Sequence, residues 1–134
     1  MVCDFQRSRV YYSENDVFKD YSLVTIDKLI LYFASIISSD IFIEKFGHPI
    51  IFLEFYDRKY SMFDYKKRTI FISAQQQMEP TILHELSHAV CKIYKQPLHG
   101  KEFCKRYLWF IYNFLEIKYY YSLEKSFQDN KVIF

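Results

Sequence analysis

The sequence predicts one α+β domain over residues 1–134: a small three- to four-stranded, mainly antiparallel sheet packed against an N-terminal helix, a central helix and the helix that follows it. Three observations lead there. Apolar side chains recur at helical spacing in two stretches, Ile26, Leu29, Ile30, Phe33, Ile36, Ile37 and Phe103, Tyr107, Phe110, Ile111, Phe114, Ile117. Between them lie three short strand-like runs separated by turns. The chain has 134 residues, 51% hydrophobic and 21% aromatic, which is enough for one core and too little for two comfortable ones.

Taken in order, residues 1–20 are polar with scattered aromatics and read as an extended or short helical arm. The first helix covers Ile26–Ile37, capped by Asp20 or Ser22. It ends near Ser38-Ser39-Asp40, and a link, Ile41–Gly47, leads to a Gly47-His48-Pro49 turn. His48 reads as a turn residue. Pro49–Tyr56 is a nearly continuous apolar run, as expected of a strand covered on both faces. Tyr60–Asp64 and Thr69–Ser73 follow after short turns, which suggests an antiparallel meander. Gln75-Gln76-Gln77 is a polar loop. The aromatic stripe from Phe103 onward is a core-facing helix starting near Gly100. The tail holds a short helix (Ser122–Gln128), a turn at Asp129-Asn130 and a terminal strand, Lys131–Phe134.

The central helix carries His84-Glu85-Leu86-Ser87-His88, the pattern H-E-x-x-H. Residues four apart lie one turn above each other on the same helix face, so His84 and His88 can direct two imidazoles at one metal. Glu85, ~100° around the helix, can reach a water there without being a ligand. Ile82, Leu83, Leu86, Ala89, Val90 and Ile93 fall on the opposite face as a core stripe. Pro80 suits the first turn and Pro97 ends the helix. Three of the four histidines (His84, His88, His99) are close in sequence, and His99 opens His99-Gly100-Lys101-Glu102-Phe103. Catalytic zinc takes three protein ligands and one water, and His99 supplies the third. Glu102 is the reserve candidate, with Glu116 behind it. Cys91, one turn past His88, reads as an inert buried thiol or as a thiol that tunes the metal. The longer pattern H-E-x-x-H-x-x-G-x-x-H is absent, because Cys91 and Tyr94 occupy the Gly and third His positions.

Composition narrows the remaining classes. Eighteen basic and sixteen acidic residues give a net charge of +2, which offers no electrostatic case for nucleic acid or an anionic membrane. The clusters Lys66-Lys67-Arg68 and Lys101/Lys105/Arg106 read as solvated surface. Three cysteines (Cys3, Cys91, Cys104) without a C-x-x-C pair argue against a disulfide framework and for a reducing, cytoplasmic setting. The start, Met1-Val2-Cys3-Asp4, lacks a basic then apolar leader. The apolar run around Leu29–Ile37 is too short to span a bilayer.

A three-histidine Zn2+ site lowers the pKa of bound water to ~7. Glu85 would act as general base and then acid in cleaving an amide, most simply in a peptide or protein substrate. An extended peptide could add to a sheet edge. Tyr65, Arg68, Tyr107 and Tyr112 are the candidate oxyanion donors.

Leu83-His84-Glu85-Leu86-Ser87-His88-Ala89 followed by His99-Gly100-Lys101-Glu102-Phe103 resembles the SprT-like metallopeptidases. With Gln6-Arg7-Ser8-Arg9-Val10-Tyr11, the chain is also similar, over most of its length, to a family of small zinc metallohydrolases of actinobacteria and their phages. The resemblance implies a minimal zincin-like fold, His84, His88 and His99 as zinc ligands, and Glu85 as catalytic acid/base. It brings no substrate. The His88–His99 spacing is shorter than in the DNA–protein-crosslink proteases of the SprT group, and no cysteine-rich ribbon or basic surface is present. A DNA-associated protease is therefore an alternative, as is a non-catalytic module stabilised by zinc. The default oligomeric state is a monomer.

Overall fold

The computed structural model describes residues 4–91 and 97–134. Its elements are α1 (Arg7–Phe18), α2 (Ile26–Ile37), α3 (Asp40–Phe46), β1 (Phe52–Tyr56), β2 (Met62–Asp64), β3 (Thr69–Ser73), α4 (Glu79–Ala89), α5 (Lys101–Phe114) and α6 (Ile117–Asp129), with a 3-10 turn at Ala74–Gln76. The fold is α+β, with six α-helices among the described residues and one open, mixed three-stranded sheet. None of these helices is long and apolar enough to cross a membrane. The chain divides into two compact units, Ser22–Val90 and a second made of Met1–Tyr21 with Cys91–Phe134.

The Ser22–Val90 unit is built around β3. Thr69, Ile70, Ile72 and Ser73 are all buried, so β3 takes the central position, with strand order β1-β3-β2. β2 pairs with β3 antiparallel, Phe63 opposite Ile70. Their turn is pinned by the Lys67 N–H donating to Asp64 Oδ1 at 2.9 Å and by Arg68 in the left-handed region at φ 52°. β1 pairs with β3 in parallel, Leu53 opposite Ile70. This corrects the expected meander: the stretch 57–68, β2 included, carries the chain over to the far side of β3. It also corrects the expectation that the first strand is covered on both faces. Phe52 is 57% exposed and Glu54 is exposed, as befits an edge strand.

α2 follows its predicted bounds and buries Leu29, Phe33 and Ile36. Its cap is Thr25, whose hydroxyl accepts from the Lys28 N–H at 3.2 Å, in place of Asp20 or Ser22. The expected link after it is helical instead. Ser39 caps α3 by accepting from the Phe42 N–H at 3.3 Å, and Gly47 ends it at φ 73°, a conformation that favours glycine. His48 lies exposed in the bend that follows, as its neighbours predicted. α4 packs on β3, β2 and α2. Its lead-in is tied down by two reciprocal bonds, Val24 N–H to Gln77 O and Gln77 Nε2 to Val24 O, both 2.8 Å.

In the second unit, α6 packs against both α1 and α5. Its core comprises Val10, Phe18, Phe103, Tyr107, Phe110, Ile111, Leu123 and Phe127. The N-terminal arm is thus a full helix. α5 ends at Phe114, earlier than the predicted stripe, and Ile117 opens α6, which is longer than the short tail helix expected. The predicted terminal strand does not form. Lys131 turns at φ 59°, the Val132 N–H goes to Phe127 O at 2.8 Å, and the Ile133 N–H goes to the Gln6 side chain at 2.7 Å, so these groups bond outside any strand ladder.

Candidate metal centre

α4 begins with Glu79 and Pro80 in its first turn and closes at Ala89. Pro80 and every residue from Ile82 to Ala89 are buried. The predicted two-faced helix, with apolar residues inward and histidines outward, therefore gives way to one enclosed all round. Ile93, Tyr94 and Cys3 lie outside the described residues, but the helix already closes at Ala89 with Val90 as its C-cap, so Pro97 is not what ends it. His84, Glu85 and His88 are 5%, 4% and 7% exposed. The i, i+4 spacing brings the two rings together, with imidazole centroids 5.0 Å apart and planes inclined at 64°. Glu85 Oε1 lies 3.8 Å from His84 Nε2.

The β2–β3 turn supplies this helix with two side chains. The Tyr65 hydroxyl is 3.2 Å from His88 Nδ1. Arg68 donates from Nη2 to Ala89 O at 2.9 Å and from Nε to Ile50 O at 3.2 Å. A guanidinium on the last carbonyl of α4 complements the negative end of the helix dipole. Of the four oxyanion candidates, Arg68 is thus committed to backbone carbonyls. Tyr107 is fully buried and donates to Glu14 Oε2 at 2.9 Å, and Tyr112 is exposed on α5. Tyr65 is the one whose hydroxyl touches a predicted ligand.

His99 stands just before α5 and is 3% exposed. A tight turn, with the Gly100 N–H on Pro97 O at 3.1 Å, places it. A Cβ on Gly100 would meet Pro97 side-chain and carbonyl atoms at 3.2 Å, so a larger residue would need Pro97 to give by a few tenths of an ångström. Asp4 receives the His99 ring on Oδ2, 2.8 Å from Nδ1, and the His99 backbone N–H on Oδ1 at 3.1 Å. Gln6, fully buried, donates from Nε2 to His99 O at 2.9 Å. The rings of Tyr11 and Phe103 are close to the imidazole, at centroid distances of 5.1 and 4.9 Å. Sequence reasoning missed Asp4 entirely and read Gln6 only as part of a motif.

His84, His88 and His99 form a group that could hold a metal ion. Each offers one ring nitrogen, His84 and His88 from the Ser22–Val90 unit and His99 from the other. Three buried imidazoles suit zinc and its borderline-soft neighbours better than magnesium or calcium, which prefer oxygen. Glu102, Glu116 and Cys91 are not members of that group. Glu102 is half-buried in the first turn of α5, and Glu116 is exposed at the start of α6. The Cys91 thiol is pushed up to about 12, first by burial and then by the nearby Glu102 carboxylate, so at neutral pH it is a thiol rather than a thiolate.

No protein-family model, curated protein or solved structure matches this chain.

Proposed function

We propose that this chain is a zinc-dependent hydrolase of the minimal zincin-like type, cleaving amide bonds in a peptide or protein substrate. The observation that carries the reading is the His84/His88/His99 group with Glu85 beside it. The sequence resemblance to small zinc metallohydrolases supports it. Three protein ligands are the number a catalytic zinc takes, whereas structural sites usually close four.

Zinc held there would supply Lewis-acid polarisation of a carbonyl and acidification of water. The protein's own groups supply the rest. Glu85 is a buried carboxylate next to a ligand, suited to take a proton from the attacking water and return it to the leaving amine. Tyr65 and Asp4 hold the outer nitrogens of His88 and His99, the usual means by which ligating imidazoles are oriented. Enclosure of all three histidines keeps bulk water from competing with these contacts. A reducing, cytoplasmic setting matches the cysteine usage.

The test is zinc content per chain, by elemental analysis, for the wild type and for His99→Ala, both purified without chelators. About one zinc in the wild type and a clear loss in the variant is the expected result. Retained zinc in His99→Ala would move the third ligand to another residue. A wild type that cannot be loaded would end the metallohydrolase reading.

A further inference from the structure

Three atoms of His99 are held by two residues far upstream in the same unit. The backbone N–H and the ring Nδ1 both go to Asp4, 95 positions away, and the carbonyl goes to Gln6, 93 positions away. Gln6 is occupied on both sides. Its Nε2 also donates to Ile133 O at 3.0 Å, and its Oε1 accepts the Ile133 N–H at 2.7 Å. Its whole amide is committed to bracing the backbone around His99 and the tail.

We propose that Asp4 is a positioning residue for the metal centre: it fixes His99 as the Nδ1–H tautomer, leaving Nε2 to carry the lone pair for the metal. The chemistry is directional. With Oδ1 already accepting the His99 backbone N–H, Oδ2 at 2.8 Å is placed to accept a proton carried on Nδ1. A neutral imidazole in water favours the opposite tautomer, with the proton on Nε2, where it blocks ligation. Asp4 reverses that preference before any metal arrives. Its second oxygen on the His99 backbone N–H stops the carboxylate swinging away, and the Asp4 side chain is only 20% exposed, so the pair is incompletely screened. Gln6 divides the labour: its hydrogen bond to this residue goes to the His99 carbonyl. The inference rests on the metal reading above for its consequence, but not for the tautomer itself.

The experiment has two readouts. Long-range proton–nitrogen NMR of metal-free protein, at alkaline pH where imidazole is neutral, reports the His99 tautomer. Competition with a chromophoric chelator reports zinc affinity. In the wild type, His99 is expected as Nδ1–H. In Asp4→Ala it shifts toward Nε2–H, and zinc binds ~10–100-fold more weakly. Gln6→Ala should lose stability while keeping the wild-type tautomer. An unchanged tautomer or unchanged zinc affinity in Asp4→Ala overturns the proposal, as does the same tautomer shift in Gln6→Ala, which would make the effect general loosening. If Asp4→Ala does not fold, Asp4→Leu, which fills the space without an acceptor, takes its place, and a wild-type tautomer or wild-type zinc affinity in it would overturn the proposal. If no protein, wild type included, binds zinc, the metal reading falls, while the tautomer comparison still decides what Asp4 does.

Discussion

The Tyr65 hydroxyl lies 3.2 Å from Nδ1 of His88, so a turn between two strands reaches the last helical turn of α4. The tyrosine ring is itself held edge-on to Phe63 at a centroid distance of 4.9 Å. Tyr65→Phe keeps that ring contact and deletes only the oxygen. It should weaken zinc binding ~10-fold while shifting folding stability by no more than ~1 kcal/mol. Chelator competition and a thermal melt on one sample check both. Wild-type affinity would mean that the hydroxyl does not orient His88.

Glu85→Gln preserves volume at a position only 4% exposed. The variant should fold, retain about one zinc per chain, and lose peptide hydrolysis by ~100-fold or more. Loss of zinc along with activity would instead make Glu85 a support for His84, 3.8 Å away.

The thiols give a pH prediction. Cys91 and Cys104 are both pushed from 9.0 up to about 12. Burial is the first cause for each, followed by Glu102 beside Cys91 and Glu14 beside Cys104. The folded state therefore keeps protons that the unfolded chain releases from 9.0 upward, and stability should fall as pH rises from there toward about 12. Urea midpoints measured across that range in Cys3→Ser, with and without Cys104→Ala, check it. The slope should be shallower when Cys104 is gone.

Leu86 on α4 is fully buried, whereas Ile30 on α2 is 44% exposed. Leu86→Ala should cost ~2–5 kcal/mol of folding stability. Ile30→Ala should stay within ~0.5 kcal/mol. Denaturant titrations that rank the two in the opposite order would contradict this account of the core.

The parts of this structure legible in the sequence are those where one periodicity dominates. α2 and α5 announce themselves through apolar stripes, and the histidines of α4 through their spacing. α1 was hidden because it buries only Val10, Ser13 and Phe18, one of them polar. The strands were locatable, but their order was not. Only the burial of both faces of β3 decides which strand is central, and that depends on what packs on the sheet. Glu85 and the two helix histidines could be named from the motif. Their burial could not, since a wheel projection sees one helix and not what covers it. Asp4 was out of reach altogether, because a lone carboxylate 95 residues from its partner leaves no local pattern.

The Gln6 amide, shared between His99 and Ile133, also sets an order of events during synthesis. Everything needed for the Ser22–Val90 unit, with His84, Glu85 and His88 on it, has left the ribosome once Val90 has. Gln6 must wait for Ile133 before both sides of its amide are matched. The helix pair His84 and His88 can therefore be in place early, while the brace on His99 is completed only once Ile133 has emerged. Premature termination between His99 and Ile133 would yield a polypeptide that carries the H-E-x-x-H motif but leaves His99 without the full support that holds it.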